Sequence, residues 1–558
     1  MRTQALRQEV ATPRTSIQLC LLGIVGGTCA ALLIILFRLC VEWLQSSGFG
    51  SLKAWFNNEW PAWLLMPLIS VMVILVIAYL TGFKHYRMGI PFVIHRVKYH
   101  YGHIPIRTTI NQFFGGMLAL AGGFVVGREG PSVHLGASGS SFLGQWLRLP
   151  YNSIRILAGC GIAAGISASF NTPFAAVIFV MEVVLREYKI HIFVPIMLAA
   201  ACGSVLTRMV FGEGNELAFL SFNAFSEWMY LYLILLGVLL GMLATLFNNQ
   251  LMRVMTLFRP VPMIWRLILA ALITGTVGTI LPEALGAQFI DVEALFNSDP
   301  GTLLLVAVLV CKVGLAVCAI GLGVPGGIIG PVMVIGMLAG AVLLLPLSMF
   351  VDVPEFTSSF ALLGIAGMLT AVLHAPLAAL SAVMELSYSP EIILPAMLVI
   401  VPAYVTSTQF FGNRSIFIRQ LDYQNLPYAI SSIREALEKT GVLAAMQTDY
   451  KIFYDAPEKA MEEYLSHNPT HIVVQASVFE IGVQYRLVQY NVSLEHDAHP
   501  LIYHEMEGLN SQSTLHEVHE QLKRSRLGAV YIYDQEPQDI IGVVTWSTLQ
   551  SYLQKAHY

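Results

Sequence analysis

The sequence predicts a polytopic all-α membrane protein made of two related halves with broken helices, followed by a C-terminal α/β domain. Three observations carry this prediction. Of 558 residues, 56% are hydrophobic and 12% charged, whereas soluble proteins carry roughly a quarter charged residues. Two distant stretches of the chain align with each other without gaps. The composition turns polar after about residue 412. A net charge of −4 gives no basis for nucleic-acid binding.

Taken in order, residues 1–16 are polar and basic, and Arg2, Arg7 and Arg14 place the N-terminus in the cytoplasm of a plasma or inner membrane by the positive-inside bias. The apolar run 17–40 is longer than a signal-peptide core and reads as a retained first span. Further long apolar runs cover 61–81, 190–211, 229–247, 264–281, 302–322 and 390–411. Between them lie pieces broken by Gly and Pro: 108–126, 131–145, 155–169, 173–185, 328–350, 358–373 and 376–386. Several fall short of the ~20 residues that a span needs. Broken helices are tolerated at membrane depth where protein or a water-filled cavity surrounds them. The transmembrane part is therefore set at 17–423 and a cytosolic domain at 424–558. The seven cysteines show no paired spacing and read as small packing residues, with neither a disulfide frame nor a metal site.

The segment starting at Gly161 and the segment starting at Gly364 share Gly161/Gly364, Pro173/Pro376, Ala176/Ala379 and Glu182/Glu385, among others. Upstream, Gly127–Gly136 matches Gly327–Gly336 through its glycines and proline. Repeats broken at matching places put a binding site near the bilayer midplane, between the halves.

Three Gly/Pro loops mark that site: Met88-Gly89-Ile90-Pro91, Gly127-Arg128-Glu129-Gly130-Pro131 and Gly323–Pro331. Glycine lets backbone come close to a ligand, and proline suits the first turn of a helix. The first-turn amides have no helical partner and carry the positive end of the dipole. Such ends converging in lipid would hold a small anion without a fixed cation, and a conducting site must also release its ion. Glu129 stands in one of these loops. A carboxylate at membrane depth is costly and marks an ion pathway; the competing reading is a tie between helices through Arg128.

The set GREGP, MGIP and GGIIGP resembles the CLC family of chloride channels and chloride/proton exchangers over about residues 20–420. The resemblance implies two inverted repeats, a homodimer with one anion path per subunit, and chloride or similar small anions as cargo, with protons in the exchangers. It makes Glu129 the gating glutamate. Met88, Gly89, Ile90, Gly130, Ile328 and Ile329 then line the path, and Phe417 stands near the central site, where the family often has tyrosine. Gating by pH or voltage follows, because a protonated or displaced Glu129 opens the path.

Two departures matter. Met88 replaces the family's usual serine, and Phe417 lacks a hydroxyl, so the central site loses two side-chain donors. Val183 occupies the position of the exchangers' internal proton-passing glutamate. Glu182, whose repeat partner is Glu385, and Glu187 remain as proton-path candidates beside Glu129. This reading favours a channel or proton-uncoupled carrier over an antiporter, with a fluoride carrier as a remote alternative.

In the C-terminal domain, 455–475 and 514–553 share a helix–strand rhythm, and the second resembles a CBS motif. CBS modules often bind adenine nucleotide through an Asp three residues after a Thr such as Thr545. Thr548 stands there, so the expected role is dimer stabilisation with no cofactor, and an adenine-nucleotide sensor is the lesser alternative. An embedded enzyme using Glu129, His134 or His374 is disfavoured, because no HExxH, GxSxG or Cys/His cluster is present. A signalling receptor lacks any catalytic tail motif.

Overall fold

The computed structural model describes residues 2–56, 60–82, 89–212, 217, 219–297, 301–348, 353–428, 432–479, 482–491 and 500–556. The chain divides into two compact units. One comprises residues 20–143 and 155–428; the other joins residues 1–19, 144–154 and 429–558.

The first unit is helical. Among the described residues of the chain, ten helices are long and apolar enough to cross a membrane, the first Ile17–Trp55 and the last Pro390–Phe410. Two expected short pieces are full length. The 155–169 piece belongs to the helix Tyr151–Phe170, and 358–373 to Val353–Leu373. Their first turns are polar (Asn152 and Ser153; Glu355, Thr357 and Ser358), so apolar content alone truncates them. Pro173–Phe179, which a π-helical turn extends to Leu185, and Pro376–Ser387 remain short.

The repeat is visible in the packing. Gly136 and Gly161 touch so closely that a Cβ on either would overlap the other's carbonyl oxygen. Gly336 and Gly364 make the same contact in the second half, where a Cβ on Gly336 would lie 2.6 Å from Gly364 O. Small residues let membrane helices approach at the backbone. Both halves break at a left-handed residue before proline: Asn171 at φ 56° ahead of Thr172-Pro173, and His374 at φ 58° ahead of Ala375-Pro376. All seven cysteines are unpaired thiols.

In the second unit, β1 (Tyr450–Tyr454) runs parallel to β2 (Ile472–Phe479), and β3 (Gly482–Tyr490) and β4 (Leu501–Glu505) follow antiparallel. A second sheet sets β5 (Gly508–Asn510) parallel to β6 (Ala529–Tyr533), with β7 (Ile540–Thr545) antiparallel. Each sheet thus contains a strand–helix–strand–strand unit, as in a CBS-like pair. The helix Leu515–Leu522 presents Leu515, Val518 and Leu522 to Val530, Ile532, Val544 and Leu549. Thr514 and Glu517 close a capping box at its start.

The N-terminal helix Arg2–Ala11 is built into this unit. Arg7 pairs with Asp534 at 2.9 Å. Gly441 N–H donates to Ala11 O at 3.0 Å, and Ser153 Oγ donates to Val10 O at 2.7 Å. Thr548 is occupied locally: its N–H donates to Thr545 Oγ1 at 3.2 Å, and the two hydroxyls lie 2.9 Å apart.

Candidate functional site

Two of the Gly-Pro loops meet. Gly127 N–H donates to Gly327 O at 2.9 Å, and Gly327 N–H donates to Gly127 O at 2.7 Å. This one-residue antiparallel bridge joins the two halves of the repeat. Two residues after each glycine a helix begins, Glu129–Trp146 in one half and Ile329–Leu344 in the other. Pro131 and Pro331 fall in the first turns, where a missing N–H removes no intrahelical bond. The positive ends of two helix dipoles therefore face one small volume.

Glu129 fills that volume and is only 1% exposed. Its carboxylate lies against the backbone amides of Glu129 itself, Gly330 and Ile329, at geometry looser than a regular hydrogen bond. The surrounding glycines leave room for it. A Cβ on Gly127 or Gly327 would overlap the Glu129 carboxylate, and one on Gly330 would lie 3.3 Å from Oε2. A Cβ on Gly130 would lie 2.7 Å from Gly326 O. Arg128 holds its guanidinium 4.6 Å from the ring centre of Phe170. The arrangement is a seat for one negative group, made from peptide dipoles.

Cavities open near both sides of the bridge. One, of about 340 Å³, is bordered by Glu129, Gly127, Arg128 and Gly330, with Arg38 and Glu42. The other, of about 380 Å³, is bordered by Gly89, Ile90, Gly327, Ile328 and Phe417. Gly127 borders the first and Gly327 the second, so the bridge stands between them. Gly89 takes φ 78°, which glycine adopts without strain, and Ile90 and Phe417 are buried. Met88 lies outside the described residues.

The remaining predicted residues stand apart from this seat. Glu182 accepts from Leu377 N–H at 3.2 Å and Ala378 N–H at 2.7 Å, and so caps the helix Pro376–Ser387. Val183 is buried in the π-helical turn Val180–Leu185. Glu187 is buried, 2.5 Å from Arg155 and 4.0 Å from Lys98. His134 stacks on Phe92 and shares a 3.1 Å hydrogen bond with Thr108 Oγ1, while His374 packs edge-on to Tyr404. Gln112, Arg259 and Arg266 also border the larger cavity, and sequence reasoning missed all three. A glutamine inside the broken apolar piece 108–126 was the available signal for Gln112.

The family model described as voltage gated chloride channel matches residues 70–408. The chain belongs to the CLC family. A ClcB-like chloride channel protein of Ralstonia nicotianae is 30% identical over 418 residues, covering 72% of this chain and 96% of the relative. The H(+)/Cl(−) exchange transporter ClcA of Klebsiella pneumoniae is 27% identical over 439 residues, covering 75% and 91%. The crystal structure of a eukaryotic CLC transporter shares the fold with a TM-score of 0.61 at 19% identity, covering 95% of this chain and 97% of that one. The chain is thus a multi-pass membrane protein with the CLC fold of inverted halves.

Proposed function

We propose that this protein carries chloride across the membrane in exchange for protons, along a path that Glu129 closes. One observation carries the reading: the Glu129 carboxylate occupies amides of two facing helix starts, where an anion of similar charge would sit. Protonation removes the charge that holds it there, and a competing anion displaces it. Either event frees the seat, so one group can gate the anion and take up the proton. The sequence alone favoured a channel or uncoupled carrier. The ClcA relative, named as an exchange transporter, shifts the weight towards exchange.

The uncoupled reading keeps one specific support. Val183 cannot titrate, Glu182 is committed to a helix cap, and Glu187 is held by two cations. Under exchange, protons reach Glu129 by another route. Homodimerisation and cytoplasmic termini belong to the same proposal.

Purified protein in chloride-loaded vesicles under an imposed proton gradient tests it. Uphill chloride movement, with protons moving the opposite way, supports exchange. Downhill chloride flux that ignores the gradient supports the uncoupled carrier. Vesicles that leak no chloride at all overturn both.

A further inference from the structure

We propose that Gln112 is an anion-binding residue, its side-chain amide donating a hydrogen bond to the transported anion in the larger cavity. This rests on the anion-transport reading and adds to it a ligand that neither the loops nor the repeat supplies.

The helix Ile106–Ala121 carries Gln112 to the border of the cavity that Gly89, Ile90, Ile328 and Phe417 also line. Its side chain is 0% exposed. Neither Nε2 nor Oε1 has a hydrogen-bond partner among the described residues. A primary amide offers two donors and an acceptor. Burying it with none of them used is costly, so native structures rarely do so without a functional reason. Its neighbour Asn111 has its amide nitrogen satisfied, with Nδ2 donating to Thr81 Oγ1 and to Arg107 O, both at 2.8 Å, whereas in Gln112 neither end is. Gln112 is placed against the cavity without such partners among the described residues.

Gly89, Ile90, Ile328 and Phe417 bring no side-chain donor to the cavity, and an amide supplies one beside them. Phe417 brings a ring and no hydroxyl. Arg259 and Arg266 border the same cavity and favour a negative occupant. A dehydrated anion there needs donors to replace its water, and a neutral amide supplies one without the grip of a fixed cation. The –NH₂ end serves the anion; the carbonyl end can accept from a water that travels with it.

The test uses full-length protein in vesicles and in detergent, with Gln112→Leu and Gln112→Asn. Leu keeps the approximate volume and removes both polar atoms. Asn keeps the amide and draws it back by one methylene. Chloride binding is measured by titration calorimetry, and chloride and thiocyanate fluxes are measured in parallel. The expected result is that Gln112→Leu weakens chloride binding by about tenfold or more, the size of one lost hydrogen bond to a charged partner. Gln112→Asn should lie between Leu and wild type. Thiocyanate, large and weakly hydrated, should lose far less flux than chloride. A folding defect would instead depress both anions together, and a monodisperse elution profile identifies folded variants. Chloride affinity and the chloride/thiocyanate flux ratio both at wild-type values in folded Gln112→Leu would overturn this assignment while leaving wild-type transport intact. Absence of chloride flux from wild type would instead defeat the underlying transport reading.

Discussion

Glu182 and Glu385 cap each other's helices. Glu182 accepts the Leu377 and Ala378 amides at 3.2 and 2.7 Å, while Glu385 accepts Phe174 and Ala175 amides at 3.1 and 2.9 Å. Each carboxylate lies on one short helix and closes the start of the other. The exchange is what a two-fold relation between inverted halves requires. It gives both acids a job at a helix N-terminus, where an acceptor oxygen caps the free amides and a negative charge adds to the effect.

Replacing either acid should therefore cost stability. Glu182→Ala and Glu385→Ala should each destabilise by about 0.5–2 kcal/mol, the usual worth of a lost N-terminal cap. Gln, which retains an acceptor oxygen, should cost less. Thermal unfolding in detergent checks this. Equal midpoints for wild type and both Ala variants would show that the caps carry no weight.

Glu129→Gln and Glu129→Ala should raise basal chloride flux several-fold and flatten its pH dependence. In wild type, acid should increase flux, because the protonated carboxyl no longer binds the amides as a charge. Vesicle efflux measured across a pH series reads both effects. Unchanged flux in both variants would remove Glu129 from the gate.

Gly327→Ala should reproduce part of the Glu129 phenotype without touching the acid. The added methyl falls on the Glu129 carboxylate, which must leave the amides, and 2.6 Å from Gly130 N, which must shift as well. Flux at neutral pH should rise towards that of Glu129→Ala. The double variant Gly327→Ala/Glu129→Ala should show little further increase, because the displaced group is already gone. A simple additive increase in the double variant would indicate a separate backbone effect.

Glu187→Gln should damage folding more than either cap variant. It strips the charge facing Arg155 and Lys98 in a buried position, and breaking such a cluster typically costs about 3–5 kcal/mol. The paired change Arg155→Met/Glu187→Met should recover much of the loss in yield and thermal midpoint. A stable, active Glu187→Gln would mean that the pair is structurally idle.

The parts of this structure that sequence could reveal are those written as local chemistry. Pro173 and Pro376 announce helix starts, and the residues before them announce breaks. The glycines of 127–131 and 325–331 announce close backbone approach. The pairing of Glu182 with Glu385 as repeat equivalents was also readable, but not what each one binds. That depends on how two inverted halves are set together, which no window of sequence contains. The same holds for the Gly127–Gly327 bridge and for Gly136 against Gly161. Gln112 was passed over because one amide in an apolar helix looks ordinary until its lack of partners among the described residues is seen. The polar first turns of Tyr151–Phe170 and Val353–Leu373 were lost because hydropathy measures side chains, while a helix is continued by backbone geometry.

The compact C-terminal unit is stitched from three separated stretches: residues 1–19, 144–154 and 429–558. Its earliest strand of material leaves the ribosome hundreds of peptide bonds before its last. The helix Arg2–Ala11 must then wait, its Arg7 without Asp534, through the synthesis of every span. Cutting the gene near codon 424 would not release a finished domain but one with a missing wall.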